Sequence, residues 1–217
     1  MLNWFKKKRV QLPNRTLDEI KIVCNILFID DRKFPVVDIL NDAGWTNTRS
    51  VKDLDSLDQK EIREAHIIFS DIQGVGKKLK FSEEGLGLAE AIKQKYPTKK
   101  LIVYSAEEQG KIETFHPAFE LADNRLNKNS DPYQFQILVE KYAKESFSFN
   151  ECIERIQKQI QRETGYSVEF DEVVKSLVKI QGSKNFSNTN VARIFNLQNA
   201  AAIANIVQLF ITGTTKP

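Results

Sequence analysis

Four runs of mostly apolar residues each end on a side chain able to do chemistry. Ile26-Leu27-Phe28-Ile29 delivers Asp30 and Asp31, and Ile67-Ile68-Phe69-Ser70 delivers Asp71. Leu101-Ile102-Val103-Tyr104 delivers Ser105, and a less apolar stretch from Leu121 to Leu126 ends near Lys128. Continuous apolar runs of this length suit strands buried on both faces, and in open α/β sheets chemistry collects at the carboxyl ends of such strands. A single Asp at a strand end is ordinarily a cap or a turn former. Here an acid pair, an acid, a hydroxyl and an amine follow one another on separate strand ends. Crowded carboxylates repel one another unless a cation sits among them, and a hydroxyl and an ammonium are donors for an anionic group.

The segments between these ends supply the frame that would bring them together. Lys21 to Ile29 reads as the first strand, preceded by a short helical turn at Thr16-Leu17-Asp18-Glu19. Pro35 opens a helix to Ala43, with Gly44 as its stop. Trp45 to Val51 reads as the second strand and Asp55 to Glu64 as the second helix. The third strand leads to Asp71. A helix from Glu83 to Tyr96 sets Leu88, Ile92 and Tyr96 on one face, and Pro97 ends it. After the fourth strand come a weak helix over 111–121, interrupted by Pro117, and the fifth strand. Asp131-Pro132 caps a last helix with Phe135, Leu138, Val139 and Tyr142 on one stripe. Five strands alternating with five helices argue for a doubly wound parallel sheet of flavodoxin-like order 2-1-3-4-5. That order makes the first and third strands neighbours, so the acids would share one crevice.

The order and spacing of these residues resemble the receiver domain of two-component response regulators, over about residues 22–145. The resemblance implies a role for each position. Asp30 and Asp31 match the acidic pair that binds Mg²⁺, with Asp31 favoured as the direct ligand, and the Gln73 backbone carbonyl would complete the metal set with Asp71. Asp71 matches the aspartate that accepts a phosphoryl group from a histidine kinase or phosphotransfer protein. Ser105 matches the hydroxyl that hydrogen-bonds that group, and Lys128 the lysine that pairs with it. Gln73 and Glu107 fall where family members tune phosphoryl loss. The chain also departs from the pattern. Val75 and Asn129 stand where Pro is common, the loop after Asp71 is lengthened and carries Lys77, Lys78 and Lys80, and Arg125 stands where many members place an inward-swinging aromatic.

Composition excludes several classes. With 41% hydrophobic and 28% charged residues the 217-residue chain can pack a core under an ordinary soluble surface. A net charge of +3 does not demand a nucleic-acid partner, and no apolar run reaches the about 20 residues that a span requires. The start lacks an apolar signal core, so a cytoplasmic location is expected. Cys24 and Cys152 fit buried free thiols, and two histidines, His66 and His116, leave little for a zinc centre or a serine triad.

Three parts are therefore expected: a basic arm over 1–20, a receiver-like domain over 21–145 and a helical module over 146–217. In the tail, Asn150 to Thr164 is helical, with Cys152, Ile153, Ile156 and Ile160 on one face and Gly165 closing it. A second helix runs from Phe170 to a stop at Gly182, with Val173, Val174, Leu177 and Val178 inside. A third, from Thr189 to Ile211, is broken near Asn196. From Phe195 to Thr212 no residue is charged, and a helix with no charged face is ordinarily buried on most sides. A second copy or a protein partner is expected to cover it. With eight Lys and Arg against six Asp and Glu, the tail carries no basic stripe, and nucleic acid is not the expected partner. The resulting expectation is a signalling protein with no enzymatic activity beyond phosphorylation and dephosphorylation of Asp71. A non-switching scaffold is the alternative and a DNA-binding regulator the third reading.

Overall fold

The computed structural model of the chain describes residues 15–106 and 117–212. It divides into two compact units, Thr16–Ser146 and a helical unit from Phe147 onward. In the first, five parallel strands, β1 (Ile26–Ile29), β2 (Thr48–Val51), β3 (Ile67–Asp71), β4 (Lys100–Ser105) and β5 (Asn124–Asn127), pair in the order β2-β1-β3-β4-β5. The expected doubly wound sheet is the one observed. Every residue of β1 and β3 is buried, whereas the edge strands β2 and β5 are mixed. That is why the central strands are apolar throughout and the edges are not.

Helices α1 (Leu17–Val23), α2 (Val36–Asp42), α3 (Lys60–Glu64), α4 (Glu84–Lys95), α5 (Pro117–Leu121) and α6 (Pro132–Ser146) complete this unit. Alternation along the strands splits its core. Leu27, Ile29, Ile68, Leu101 and Val103 pack with Leu88 and Ile92 of α4 and Ile62 of α3. The other face is aromatic. Phe28 and Phe69 stack at 4.5 Å and 2°, and Phe135 of α6 meets Phe69, Phe34 and Tyr104 at 5.8, 5.3 and 6.2 Å.

Several boundaries differ from the sequence reading, each for a local reason. The first strand is shorter because α1 runs on into it: Thr16 and Glu19 form a reciprocal capping box that starts a helix continuing to Val23. The second begins at Thr48 because Trp45 lies in a turn, its carbonyl accepting from the Thr48 N–H and hydroxyl. Of the expected Asp55–Glu64 helix only α3 forms. Ahead of it the Ser56 hydroxyl takes the Asp58 N–H and the Gln59 side chain takes the Asp55 N–H, so side chains compete with the helical ladder. The fifth strand starts at Asn124, since Leu121 belongs to α5. The part of the expected helix over 111–116 lies outside the described residues.

The second unit holds α7 (Phe149–Thr164), α8 (Phe170–Ser183), α9 (Asn188–Phe195) and α10 (Ala201–Thr212). Ser148 caps α7, and Gly165, at φ +77°, closes it in the left-handed conformation. Helix α8 runs past Gly182 and is closed by Lys184 at φ +51°, while Val178 faces outward and Ile180 inward. Asn196 at φ +56° makes the break before α10. The expectation that the uncharged helix needs a foreign cover is corrected in part: Ile203, Ala204 and Val207 are buried in this unit's own core with Ile153, Ile156 and Val191.

Phe135 is fully buried against both strands and loop. Phe135→Ala should destabilise the first unit by about 3–5 kcal/mol in urea titrations, and Phe135→Leu by distinctly less. An alanine variant within about 0.5 kcal/mol of wild type would contradict the aromatic block as a rigid packing unit.

Candidate functional site

Strand pairing assembles the site. Ile29 lies beside Ser70, so the residues that follow, Asp30 and Asp71, emerge side by side. Asp71 lies beside Tyr104, and Ser105 beside Asn127, the residue before Lys128. Asp30, Asp31 and Asp71 each offer a carboxylate oxygen within 4.8 Å of the others. Asp30 and Asp71 are buried and Asp31 is exposed. Such a set of hard oxygens suits a divalent cation, and the residues present fit one.

A single ammonium bridges the buried pair. Lys128 Nζ donates to Asp71 Oδ2 at 2.6 Å and reaches Asp30 Oδ2 at 2.8 Å and Oδ1 at 3.0 Å. The Lys128 N–H donates to the Ser105 carbonyl at 2.6 Å, tying the lysine to the end of β4. Ser105 is itself buried. The Gln73 N–H donates to Asp71 Oδ1 at 3.1 Å, an Asx turn that fixes the carboxylate plane. Glu107, expected to tune phosphoryl loss, lies outside the described residues.

Burial pushes the Asp71 carboxyl above its ordinary value. The hydrogen bonds from Lys128 and Gln73 pull it down, and the Asp30 charge adds to the rise. For Lys128 burial opposes the charge, but hydrogen bonds to Asp30 and Asp71 prevail and raise its pKa. The Tyr104 hydroxyl is raised by burial and by the Asp30 charge beside it.

Backbone approach is close on both sides of Asp71. Gly74, at φ +79°, lies where a Cβ would come within 2.5 Å of Asp31 Oδ2. At Gly85 a Cβ would sit 2.2 Å from the Asp71 carbonyl oxygen. Backbone excludes any side chain at Gly85, while at Gly74 the positive φ strains one and the Asp31 carboxylate would have to shift. The loop after Asp71 is held by two acids that sequence reading passed over. Asp53 accepts from the N–H groups of Gly76 and Lys78 at 2.6 and 3.0 Å, and Glu84 accepts from Gly74 at 2.6 Å. Tyr104 was missed as well: its hydroxyl donates to Asp30 Oδ2 at 2.8 Å. The available signal was a polar-tipped residue at the end of an otherwise apolar strand. Arg125, by contrast, is exposed and lies 4.1 Å over the Phe119 ring.

The sheet order matches that of a receiver-domain fold, here followed by a helical extension. Solved structures similar to this chain are response regulators. The receiver domain of NtrX from Brucella abortus is 28% identical over 55% of this chain and 98% of its own, with a TM-score of 0.45. In a longer NtrX structure the match is 24% identical and covers 73% of this chain but only 34% of that one, with a TM-score of 0.48. A Burkholderia pseudomallei response regulator with a phosphorylated aspartic acid, calcium ion and citrate is 18% identical over 80% and 93% of the two chains, at 0.42. RcsB from Salmonella enterica serovar Typhimurium, bound to promoter P1flhDC in the presence of a phosphomimetic, is 16% identical over 88% and 90%, at 0.45. No protein-family model and no curated protein matches the chain. Among the described residues no helix is long and apolar enough to cross a membrane.

The raised Asp71 pKa has a thermodynamic consequence. A carboxyl that holds its proton more tightly when folded contributes stability below its unfolded value, near pH 4, and loses it as pH rises through the folded value. Metal-free Asp71→Asn protein should therefore melt above wild type at pH 7, with the gap closing towards pH 4. Calorimetry across that range checks the sign; a variant that melts below wild type at pH 7 would contradict it.

Proposed function

We propose that this chain is a response regulator that accepts a phosphoryl group on Asp71 and passes the state to its helical module, 146–217. The observation that carries the reading is the single ammonium of Lys128 held on Asp71 at 2.6 Å inside a three-carboxylate cluster. Asp30, Asp31, Asp71 and the Gln73 carbonyl would hold Mg²⁺. Asp31, the exposed member, and Asp71 are the favoured direct ligands, because Asp30 is already taken by protein donors. A bound Mg²⁺ supplies charge neutralisation for phosphoryl oxygens.

The chain's own residues account for the rest. An ionised Asp71 oxygen attacks phosphorus in line. A phosphorus–oxygen bond to Asp71 forms while the phosphorus–nitrogen bond of the donor phosphohistidine breaks, and the imidazole leaves with the electron pair and takes up a proton. Lys128 follows the charge from the carboxylate to the new phosphoryl oxygens, and the Ser105 hydroxyl donates to another. This is catalysis by position and charge rather than by a general acid. Gln73 and Glu107 set the slower loss of the group to water. No further enzymatic activity is assigned. The partners are a cytoplasmic histidine kinase or phosphotransfer protein, and a second copy or another protein on the tail.

A specific observation favours a second reading, a non-switching scaffold on the same fold. Arg125 occupies the place of the swinging aromatic and is stacked on Phe119, so the usual read-out residue is replaced by one already engaged. Magnesium affinity separates the two readings, since a scaffold has no use for the ion. A third, a DNA-binding regulator, predicts duplex binding with steep salt dependence.

Incubation with a phosphoamidate donor and Mg²⁺ should label wild type, while Asp71→Asn incorporates nothing. Solution mass with beryllofluoride should change in wild type and stay constant in Asp71→Ala. Equal labelling of wild type and Asp71→Asn would sink the assignment of the acceptor.

A further inference from the structure

Three groups engage the Asp30 carboxylate through four contacts. Its Oδ1 accepts from the Arg32 N–H at 3.0 Å and from Lys128 at 3.0 Å. Its Oδ2 accepts from Lys128 at 2.8 Å and from the Tyr104 hydroxyl at 2.8 Å. Two oxygens offer about four acceptor positions, so the group is saturated and its plane is fixed. Asp30 is 1% exposed and Tyr104 is 1% exposed, so water does not substitute for either partner. The phenol ring is immobilised in turn, stacked on Phe34 at 5.2 Å and 15° and met edge-on by Phe135. The Lys128 ammonium lies 5.6 Å from the Tyr104 ring centroid and 5.7 Å from that of Phe34, so the same aromatic pair also walls in the cation.

We propose that Tyr104 is a positioning residue: its hydroxyl locks Asp30, and through Asp30 it sets the place from which the Lys128 ammonium serves Asp71. An ammonium has three donors. With Asp30 fixed by Tyr104 and Arg32, Lys128 keeps that anchor and turns its remaining donor to whatever oxygen Asp71 presents. Without the hydroxyl, Asp30 loses a partner it cannot regain from solvent, its carboxylate is free to turn, and Lys128 is drawn towards it and away from Asp71. The effect falls on orientation of the amine, whereas the exposed ligand Asp31 is untouched. This inference rests on the phosphoryl-transfer reading of the site for its consequence, though not for its geometry.

Tyr104→Phe removes one oxygen atom and keeps the ring packing. In the variant the labelling rate at saturating Mg²⁺ should fall about tenfold, the effect of losing one hydrogen bond to a charged group, while Mg²⁺ affinity changes less than about threefold. A merely structural role would lower both together or neither. A second readout needs no phosphoryl donor. A double-mutant cycle of Tyr104→Phe and Lys128→Met, followed by denaturant unfolding of the metal-free protein, should be non-additive by about tenfold in the unfolding constant. An additive cycle, or an unchanged labelling rate in a wild type that labels, overturns the inference. A wild type that takes no label but shows a non-additive cycle overturns the function proposed for the site and leaves the Tyr104–Asp30–Lys128 coupling standing.

Discussion

Two carboxylates buried at the end of a sheet around one ammonium is the constraint on which the rest of this structure rests. A buried charge is costly unless it is paired and hydrogen-bonded. Asp30 and Asp71 are both paired with Lys128, though for Asp71 burial still outweighs the pairing, and Lys128 stands on the far edge of the sheet, in sequence almost a hundred residues from Asp30. The amine arrives only if β4 lies between β3 and β5, if Ser105 pairs with Asn127, and if the Lys128 N–H closes onto the Ser105 carbonyl. One strand order therefore satisfies the electrostatics, and it is the order that the right-handed crossover connections allow. Even so, among the described residues one positive charge among three acids leaves a deficit, and a deficit of that sign next to an exposed carboxylate is a place for a cation.

The aromatic layer under the site serves rigidity. Phe28, Phe69, Phe34 and Phe135 leave Tyr104 a single orientation, and that orientation aims a hydroxyl at Asp30. Packing and polarity are thus joined in one side chain: the ring belongs to the core and the oxygen to the site. The glycines complete the enclosure from the other side. Gly85 meets the Asp71 backbone more closely than any side chain would permit, and Gly74, at φ +79°, brings its backbone against the Asp31 carboxylate.

The central strands were legible in the sequence because burial on both faces leaves an uninterrupted apolar signature. So were the residues at their ends, because a polar group following such a run stands out by contrast. Lys128 was the harder member, since β5 is an edge strand of sequence Asn-Arg-Leu-Asn with no apolar run to point at it. Tyr104, Asp53 and Glu84 were not read as site residues. Their roles are set by what lies across the fold: Asp53 meets backbone some 23 residues away and Tyr104 a carboxylate 74 residues away. Local spacing carries no trace of such partners. The misplaced boundaries share a different cause. At Thr16, Ser56 and Gln59, short polar side chains bond nearby backbone or one another, and these local hydrogen bonds decided helix against turn where hydrophobic period alone was ambiguous.

Two of the three lysines in the loop after Asp71 are matched by acids outside the carboxylate cluster. Lys77 pairs with Glu84 at 3.3 Å and Lys78 with Asp55 at 2.8 Å. The same Glu84, with Asp53, also takes the loop's backbone N–H groups. Exposed pairs of this kind contribute little to stability, so their consequence is local electrostatics and shape. Each lysine of the pair is matched by an acid outside the cluster, and one of those acids, Glu84, also accepts from the Gly74 N–H beside Asp31. The loop can therefore be long and basic while the crevice it borders stays net negative. A loop with the same lysines but without Asp55 and Glu84 would leave two unmatched ammonium groups on the segment that borders a crevice of carboxylates. The loop's basic charge is thus answered by acids that never enter the cluster.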